Sequence, residues 1–302
     1  WELVSARPGV GEAQGFYNNG YPQKSIIPAK VPGDIHWDLE RAGELPDLFI
    51  AMNAKQAYEL PLREWWYRKS FVVADAWRHK QMRLHFAAVD YATKIWINGK
   101  YLGRHEGQFT PFEFDVTDKV KIGELNELII LIEPAPENVI KKLFSPRTQI
   151  NRQYAMDEVS NTLKYWKCRT MSGWDWGTPL WTMGIWQNVT LIATDKLFLD
   201  RLLIQTETRK PYTKATLHAT VDVHTKDLKE ATFVYTVRAL RSGQPKLSVS
   251  KTIKMDDTNK RIAFSLDVKD PALWWPNGYG PQNMYELTVM ARDKKTGKLL
   301  DQ

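Results

Sequence analysis

The sequence predicts an all-β chain of two successive antiparallel sandwiches, residues 1–195 and 196–302. Three observations carry this reading. Short segments rich in aromatic and β-branched residues recur at close spacing. Turn signals bearing Gly, Asn or Pro separate them. No long segment between them has a helical period. The length, 302 residues, suits two domains with sizeable cores.

In the first half, Trp66–Val73 reads as a strand. Gln81–Ala88 alternates, with Met82, Leu84, Phe86 and Ala88 on one face and Arg83 and His85 on the other. Thr93–Ile97 runs into Asn98–Gly99, a two-residue hairpin signal, and Lys100–Gly103 is the returning strand. Phe112–Val116, Glu127–Ile132 and Gln187–Ala193 complete the set. Between Pro134 and Thr170 the pattern breaks: Asn138–Leu143 reads as a short helical turn, and the remainder is polar without a period. A connection of that length in a compact domain marks a functional or packing segment.

In the second half, strands are predicted over Phe198–Glu207, Lys214–His224, Ala231–Leu240, Leu247–Met255, Arg261–Val268 and Met284–Arg292. Turns fall at Arg209–Pro211, Arg241–Pro245, Asp256–Asn259 and Lys294–Gly297. The number and spacing fit an immunoglobulin-like sandwich, without the Cys–Trp–Cys framework of antibody domains.

The composition, 43% hydrophobic and 25% charged, is that of a folded chain. The net charge of +7 is scattered, with no basic helix and no nucleic-acid module, so no nucleic-acid partner is expected. No stretch approaches the roughly 20 apolar residues of a membrane span, and no membrane partner is expected. Cys168 is the only cysteine, which excludes an intrachain disulfide. The chain opens on Trp1 without an initiator Met; a removed leader or a trimmed chain accounts for this, and a periplasmic or secreted setting is favoured over a cytoplasmic one.

Catalytic signatures are missing. There is no phosphate loop, no dinucleotide fingerprint, no His-Glu-x-x-His and no serine elbow. The six histidines lack metal-ligand spacing, so neither metal nor cofactor is expected. The 13 Trp, 12 Tyr and 11 Phe serve large β-sandwich cores, and a few of their flat rings could stack on sugar faces. The densest aromatic feature is Ser172–Gly173–Trp174–Asp175–Trp176–Gly177–Thr178–Pro179. An ionised Asp175 can accept two hydroxyl hydrogen bonds while Trp174 and Trp176 supply apolar walls, which is how a site fixes a sugar with adjacent hydroxyls. Equally, the run could be a structural corner whose rings fill a core while Asp175 caps backbone N–H groups. Chemistry alone leaves the two readings level.

Other segments resemble glycoside hydrolase family two, most of them in a form that its β-galactosidases and β-glucuronidases share, and the Trp174–Asp175–Trp176 loop is what points toward its β-mannosidases. The segments are Pro28–His36, Trp65–Phe71, Ala88–Gly99 with Leu102–Gly103, Phe109–Val116, Gly184–Gln187 and Leu273–Gly280, met in order along the chain. The resemblance implies a jelly-roll, galactose-binding-like sandwich, then the immunoglobulin-like one, with a catalytic barrel expected after Gln302. It implies an exo-acting enzyme that removes terminal β-mannose with retention through two barrel glutamates. The chain itself would hold no catalytic residue. It would contribute one wall of the sugar pocket through Asp175, Trp174 and Trp176, and would brace the barrel, its partner. Ser172 and Thr178 depart from the family's pattern around that loop. Leu273–Gly280 would pack between domains or on the barrel. Alternatives are another substrate in the same family, a glucosaminide or galactoside, or a free-standing carbohydrate-binding module.

Overall fold

The computed structural model describes residues 1–302 except 19, 145–164, 169, 171–177, 179, 242, 244–245 and 256–258. They divide into two compact units: 1–78 with 82–192, and 79–81 with 193–302.

In the first unit, a six-stranded sheet runs in the order β2-β1-β3-β8-β5-β6. Its strands are β1 (Glu2–Ala6), β2 (Ile27–Pro28), β3 (Glu64–Val72), β5 (Ala92–Ile97), β6 (Lys100–Glu106) and β8 (Leu125–Ile132). A three-stranded sheet, order β7-β4-β9, uses β4 (Gln81–Phe86), β7 (Phe112–Asp115) and β9 (Val189–Thr194). Three short helices, α1 (Val10–Ala13), α2 (Ile35–Arg41) and α3 (Glu137–Leu143), lie in the connections.

The central strands explain why parts of the sequence lack alternation. Trp65–Tyr67 and Leu128–Ile132 are buried without a break, because both faces of the sheet are covered. Antiparallel register sets Trp65 opposite Ile132, Trp66 opposite Leu131 and Tyr67 opposite Ile130. On one face Trp66, Trp96, Ile129 and Leu131 pack under Phe16 and Tyr21 from the segment after β1. Gly11 makes that segment's close approach possible: a Cβ there would fall 2.3 Å from the Trp66 Nε1. Glu64, buried beneath it, accepts the Gly9 N–H at 2.5 Å, the Gly11 N–H at 3.1 Å and the Trp66 Nε1–H at 3.0 Å. The other face carries Leu3, Trp65, Tyr67, Ile95 and Ile130, while β4 buries its alternate residues Met82, Leu84 and Phe86.

The β5–β6 hairpin turns on Asn98 and Gly99 at φ 51° and 76°, the left-handed pair of a type I′ turn. Asn98 also donates to the Lys119 carbonyl and to Asn126 Oδ1, both at 2.9 Å, and so ties the hairpin to the turn before β8.

The second unit is a three-plus-four sandwich, the strand count of an immunoglobulin-like domain. One sheet, β10-β11-β14, uses Leu197–Thr208, Lys214–Thr225 and Asn259–Lys269. The other, β13-β12-β15-β16, uses β12 (Glu230–Ala239), β13 (Leu247–Lys254), β15 (Tyr285–Asp293) and β16 (Leu299–Asp301). Val221 and Val223 of β11 alternate inward, as do Ala231, Phe233 and Tyr235 of β12. Tyr235 stacks on Phe264 of β14 with ring centroids 3.4 Å apart, joining the two sheets. In β10 the ladder slips by one residue: Leu199 faces Val223, yet Leu202 faces Val221. Asp200 and Arg201 form this bulge.

The predicted strands are present with ends shifted by a few residues, and Asn138–Leu143 is within α3. Strands β1 and β2 and helix α2 were not expected. Pro32–Gly33–Asp34 leads directly into α2 with Asp34 as its N-cap.

Candidate functional site

Trp174, Asp175 and Trp176 lie outside the described residues. Residues 165–168 before them and 180–187 after them are described, and two carboxylates organise these segments, Asp34 part-buried and Asp90 buried. Asp34 is the first. Its Oδ1 accepts the His36 N–H at 2.8 Å and caps α2, and its Oδ2 accepts the Met183 N–H at 2.9 Å. Backbone bonds run alongside, from the Gly33 N–H to the Ile185 carbonyl at 2.9 Å and from the Ile35 N–H to the Met183 carbonyl at 3.0 Å. Gly184 sits at φ 149°, and a Cβ on it would fall 2.9 Å from the Gly33 carbonyl oxygen.

Asp90, in the turn before β5, is the second. Its backbone exchanges two hydrogen bonds with Gly184, both at 2.8 Å. Its carboxylate pairs with the Lys167 ammonium and accepts the Thr182 hydroxyl at 2.7 Å and the Gln108 amide at 3.2 Å. Lys167 also donates to the Thr182 carbonyl at 2.6 Å and to its hydroxyl at 3.3 Å. Gln108 completes the network. Its Oε1 accepts the Cys168 N–H at 2.6 Å, its N–H donates to the Trp166 carbonyl at 3.1 Å, and its carbonyl accepts the Trp186 Nε1–H at 2.8 Å.

Asp90 is 2% exposed and Lys167 7%. Burial pushes the Asp90 carboxyl above the ordinary carboxylate range and the Lys167 ammonium below that of a free lysine, in each case against the attraction of the partner's charge. The pair is therefore stabilised by its hydrogen bonds and geometry rather than by charge alone.

A cavity of about 260 Å³ opens beside this network. From α2 and the segment after it come Trp37, Glu40 and Phe49; Gln108, Thr182 and Trp186 line the other side. Trp37 and Phe49 are half-exposed or more and lie 6.3 Å apart, ring to ring. Exposed aromatic faces beside a carboxylate and amide groups suit a hydroxylated ligand with one apolar face. Sequence reasoning missed Asp34, Asp90, Gln108 and Lys167 as a group. Asp34 had a signal, a capping residue before an apolar i, i+4 pair, Ile35 and Leu39. The others join across sequence separations up to 77 residues, which no local pattern encodes.

In the second unit, an apolar groove of about 310 Å³ is lined by Ile204 and Thr206 of β10, Leu217, Leu273, Trp274 and Met284 among others. The Leu273–Gly280 loop is held by Gln282, whose amide donates to the Trp275 and Gly280 carbonyls at 3.1 and 3.0 Å, and by Asn283, which donates to the Leu273 carbonyl at 2.9 Å. Among the described residues no group of three or more His, Cys, Asp or Glu could hold a metal ion, and no helix is long and apolar enough to cross a membrane.

Both units match one family. Residues 14–187 match the glycosyl hydrolase 2 galactose-binding domain-like domain, and residues 197–302 match glycosyl hydrolases family 2. The chain belongs to glycosyl hydrolase family 2. Among curated proteins it is similar to beta-mannosidase B of Emericella nidulans, 27% identical over 289 residues, which is 93% of this chain and 32% of that protein. Beta-mannosidase B of Thermothelomyces thermophilus is 27% identical over 283 residues, 92% of this chain and 32% of that protein. The solved β-D-mannosidase of Dictyoglomus thermophilum superposes with a TM-score of 0.79 at 26% identity, covering 100% of this chain and 34% of that one. The exo-chitosanase of Amycolatopsis orientalis, at 21% identity and TM-score 0.70, shares the fold. The chain thus spans about a third of the length of the curated relatives it matches.

Proposed function

We propose that these residues work as the non-catalytic front part of a β-mannosidase-like glycoside hydrolase that releases terminal β-mannose with retention. Residues 1–195 act as the sugar-binding domain and residues 196–302 as the immunoglobulin-like brace for a catalytic barrel. The observation that carries the reading is the match of both units, in order and over nearly the whole chain, to about a third of several β-mannosidases. Within it, Asp175 accepts hydrogen bonds from hydroxyls of the terminal sugar, and Trp174 and Trp176 form or support an apolar wall. Two barrel glutamates perform the acid/base and nucleophilic steps. The 302-residue chain alone has half a pocket, so its sugar affinity is weaker than about millimolar.

The test is hydrolysis of an aryl β-mannoside by the full-length enzyme, wild type beside Asp175→Ala. A drop of at least tenfold in kcat/KM, about 1.4 kcal/mol of transition-state stabilisation, is expected. Unchanged activity would make Asp175 part of a structural corner. Turnover of a galactoside or glucosaminide instead of the mannoside would overturn the substrate.

A further inference from the structure

The cavity beside α2 keeps more hydrogen-bond acceptors than donors. The Thr182 hydroxyl and the Gln108 amide point their protons at Asp90, and the Trp186 indole N–H is taken by the Gln108 carbonyl. Two acceptors are left over. His36 is 5% exposed, and its Nδ1 lies 2.6 Å from Asp34 Oδ1. A carboxylate only accepts, so Nδ1 carries the proton and the neutral ring offers Nε2 as an acceptor. That Nε2 is buried and has no partner among the described residues. Glu40, four residues on and so on the same side of α2, makes no side-chain hydrogen bond or ion pair among the described residues. The neighbouring stripe of the helix, Ile35 and Leu39, is buried in the unit and holds this side outward.

The aromatic wall is fixed in place. Leu48 is buried, Asp47 Oδ1 accepts the Phe49 N–H at 2.8 Å, and Asn53 donates to the Asp47 carbonyl at 2.9 Å. The segment after α2 therefore presents Phe49 beside Trp37 on an ordered backbone. The lining carries three carboxylates, Asp34, Glu40 and Asp90, and among the described residues no lysine or arginine. Lys167 offsets Asp90 alone. A volume of about 260 Å³ lies just under the roughly 300 Å³ at which small-molecule sites begin, which suits one ring rather than a chain of rings.

We propose that this cavity is a binding site for a single sugar ring carrying a protonated amine. The ammonium pairs with Glu40, a ring hydroxyl donates to His36 Nε2, and Trp37 and Phe49 flank the ligand. A neutral sugar also offers hydroxyl donors, yet it leaves the Glu40 charge unmatched. An ammonium matches that charge, strengthens each hydrogen bond it donates and is attracted to aromatic faces. The site uses neither Asp175 nor a catalytic group and so goes beyond the functional reading above.

The experiment follows the full-length enzyme, labelled with 5-fluorotryptophan, by fluorine NMR. The Trp37 signal is the one missing from Trp37→Phe. The probes are glucosamine, N-acetylglucosamine, mannose and propylamine, at one ionic strength. Glucosamine should move the Trp37 signal saturably at low-millimolar concentration. The two uncharged sugars and the ringless amine should each need at least tenfold more. Glu40→Gln, which removes the charge at a partly exposed position, should weaken glucosamine at least fivefold and bring it level with mannose. A Trp37 signal that glucosamine leaves unmoved would overturn the site. Equal binding of mannose or N-acetylglucosamine would overturn the amine, and equal binding of propylamine would overturn the sugar ring. A Glu40→Gln protein that binds glucosamine as wild type does would overturn the role of Glu40 and the proposal with it. If that variant fails to fold, the four probes on the wild type decide. None of these readouts is turnover, so an enzyme that leaves β-mannosides intact would refute the functional reading without touching this one.

Discussion

At the scale of single residues, burial decides which polar groups help the fold. Glu64 and Asn126 are buried and satisfied: Asn126 accepts from the Lys121 N–H at 2.7 Å and donates to the Lys121 and Glu124 carbonyls at 2.7 and 3.1 Å. Tyr235 is the contrast. It is 1% exposed, and its hydroxyl has no hydrogen-bond partner among the described residues. An unpaired buried hydroxyl carries a desolvation cost without a return bond. Tyr235→Phe keeps the stacking on Phe264 and removes that cost. Urea unfolding should find the variant as stable as wild type or more so, by up to about 1 kcal/mol. A loss beyond about 1 kcal/mol would mean that the hydroxyl has a partner. The Asp90–Lys167 pair belongs to this scale as well, and it was illegible in the sequence. An aspartate before a strand and a lysine in an aperiodic stretch carry no mark of meeting.

At the scale of elements, legibility followed periodicity. Strand β4 was plain because Met82, Leu84 and Phe86 alternate with polar residues. The β5–β6 hairpin was plain because Asn98–Gly99 is the chemistry that two left-handed residues require. Strand β1, five residues ending in Ser5–Ala6, and the seven-residue α2 were too short for a period to emerge. The second unit was legible nearly throughout, since its long strands alternate between a buried and an exposed face, β10 beyond Asp200 excepted. The Trp174–Asp175–Trp176 run was legible only as a chemical possibility, because spacing cannot separate a sugar contact from a corner.

For the whole molecule, buried phenols set an alkaline limit. Burial raises the pKa of Tyr21 and Tyr67 in the first unit and of Tyr235 in the second. In the unfolded chain these groups ionise near pH 10. A raised folded-state value favours the folded, protonated form, so the stability it contributes is complete below about pH 10 and is lost as pH rises toward the folded value. Calorimetric melts from pH 8 to 11 should therefore show a falling Tm above about pH 10. A flat profile to pH 11 would show that these phenols ionise without unfolding.

The slip in β10 keeps the second unit's lining in step. Before Asp200 the inward residues are odd-numbered, Leu197 and Leu199; after Arg201 they are even, and Ile204, Thr206 and Thr208 line the groove. Deleting Arg201 would remove the extra residue and leave Leu202 opposite Val221 and Ile204 opposite Ala219, so the groove would keep its lining. Deleting Leu203, beyond the bulge, would instead turn Gln205 and Glu207 toward the groove. The second deletion should lower the melting temperature more than the first, and equal melting temperatures for the two would refute the parity argument. One codon lost inside the bulge is thus absorbed, whereas one lost two positions later changes the lining of the rest of the strand.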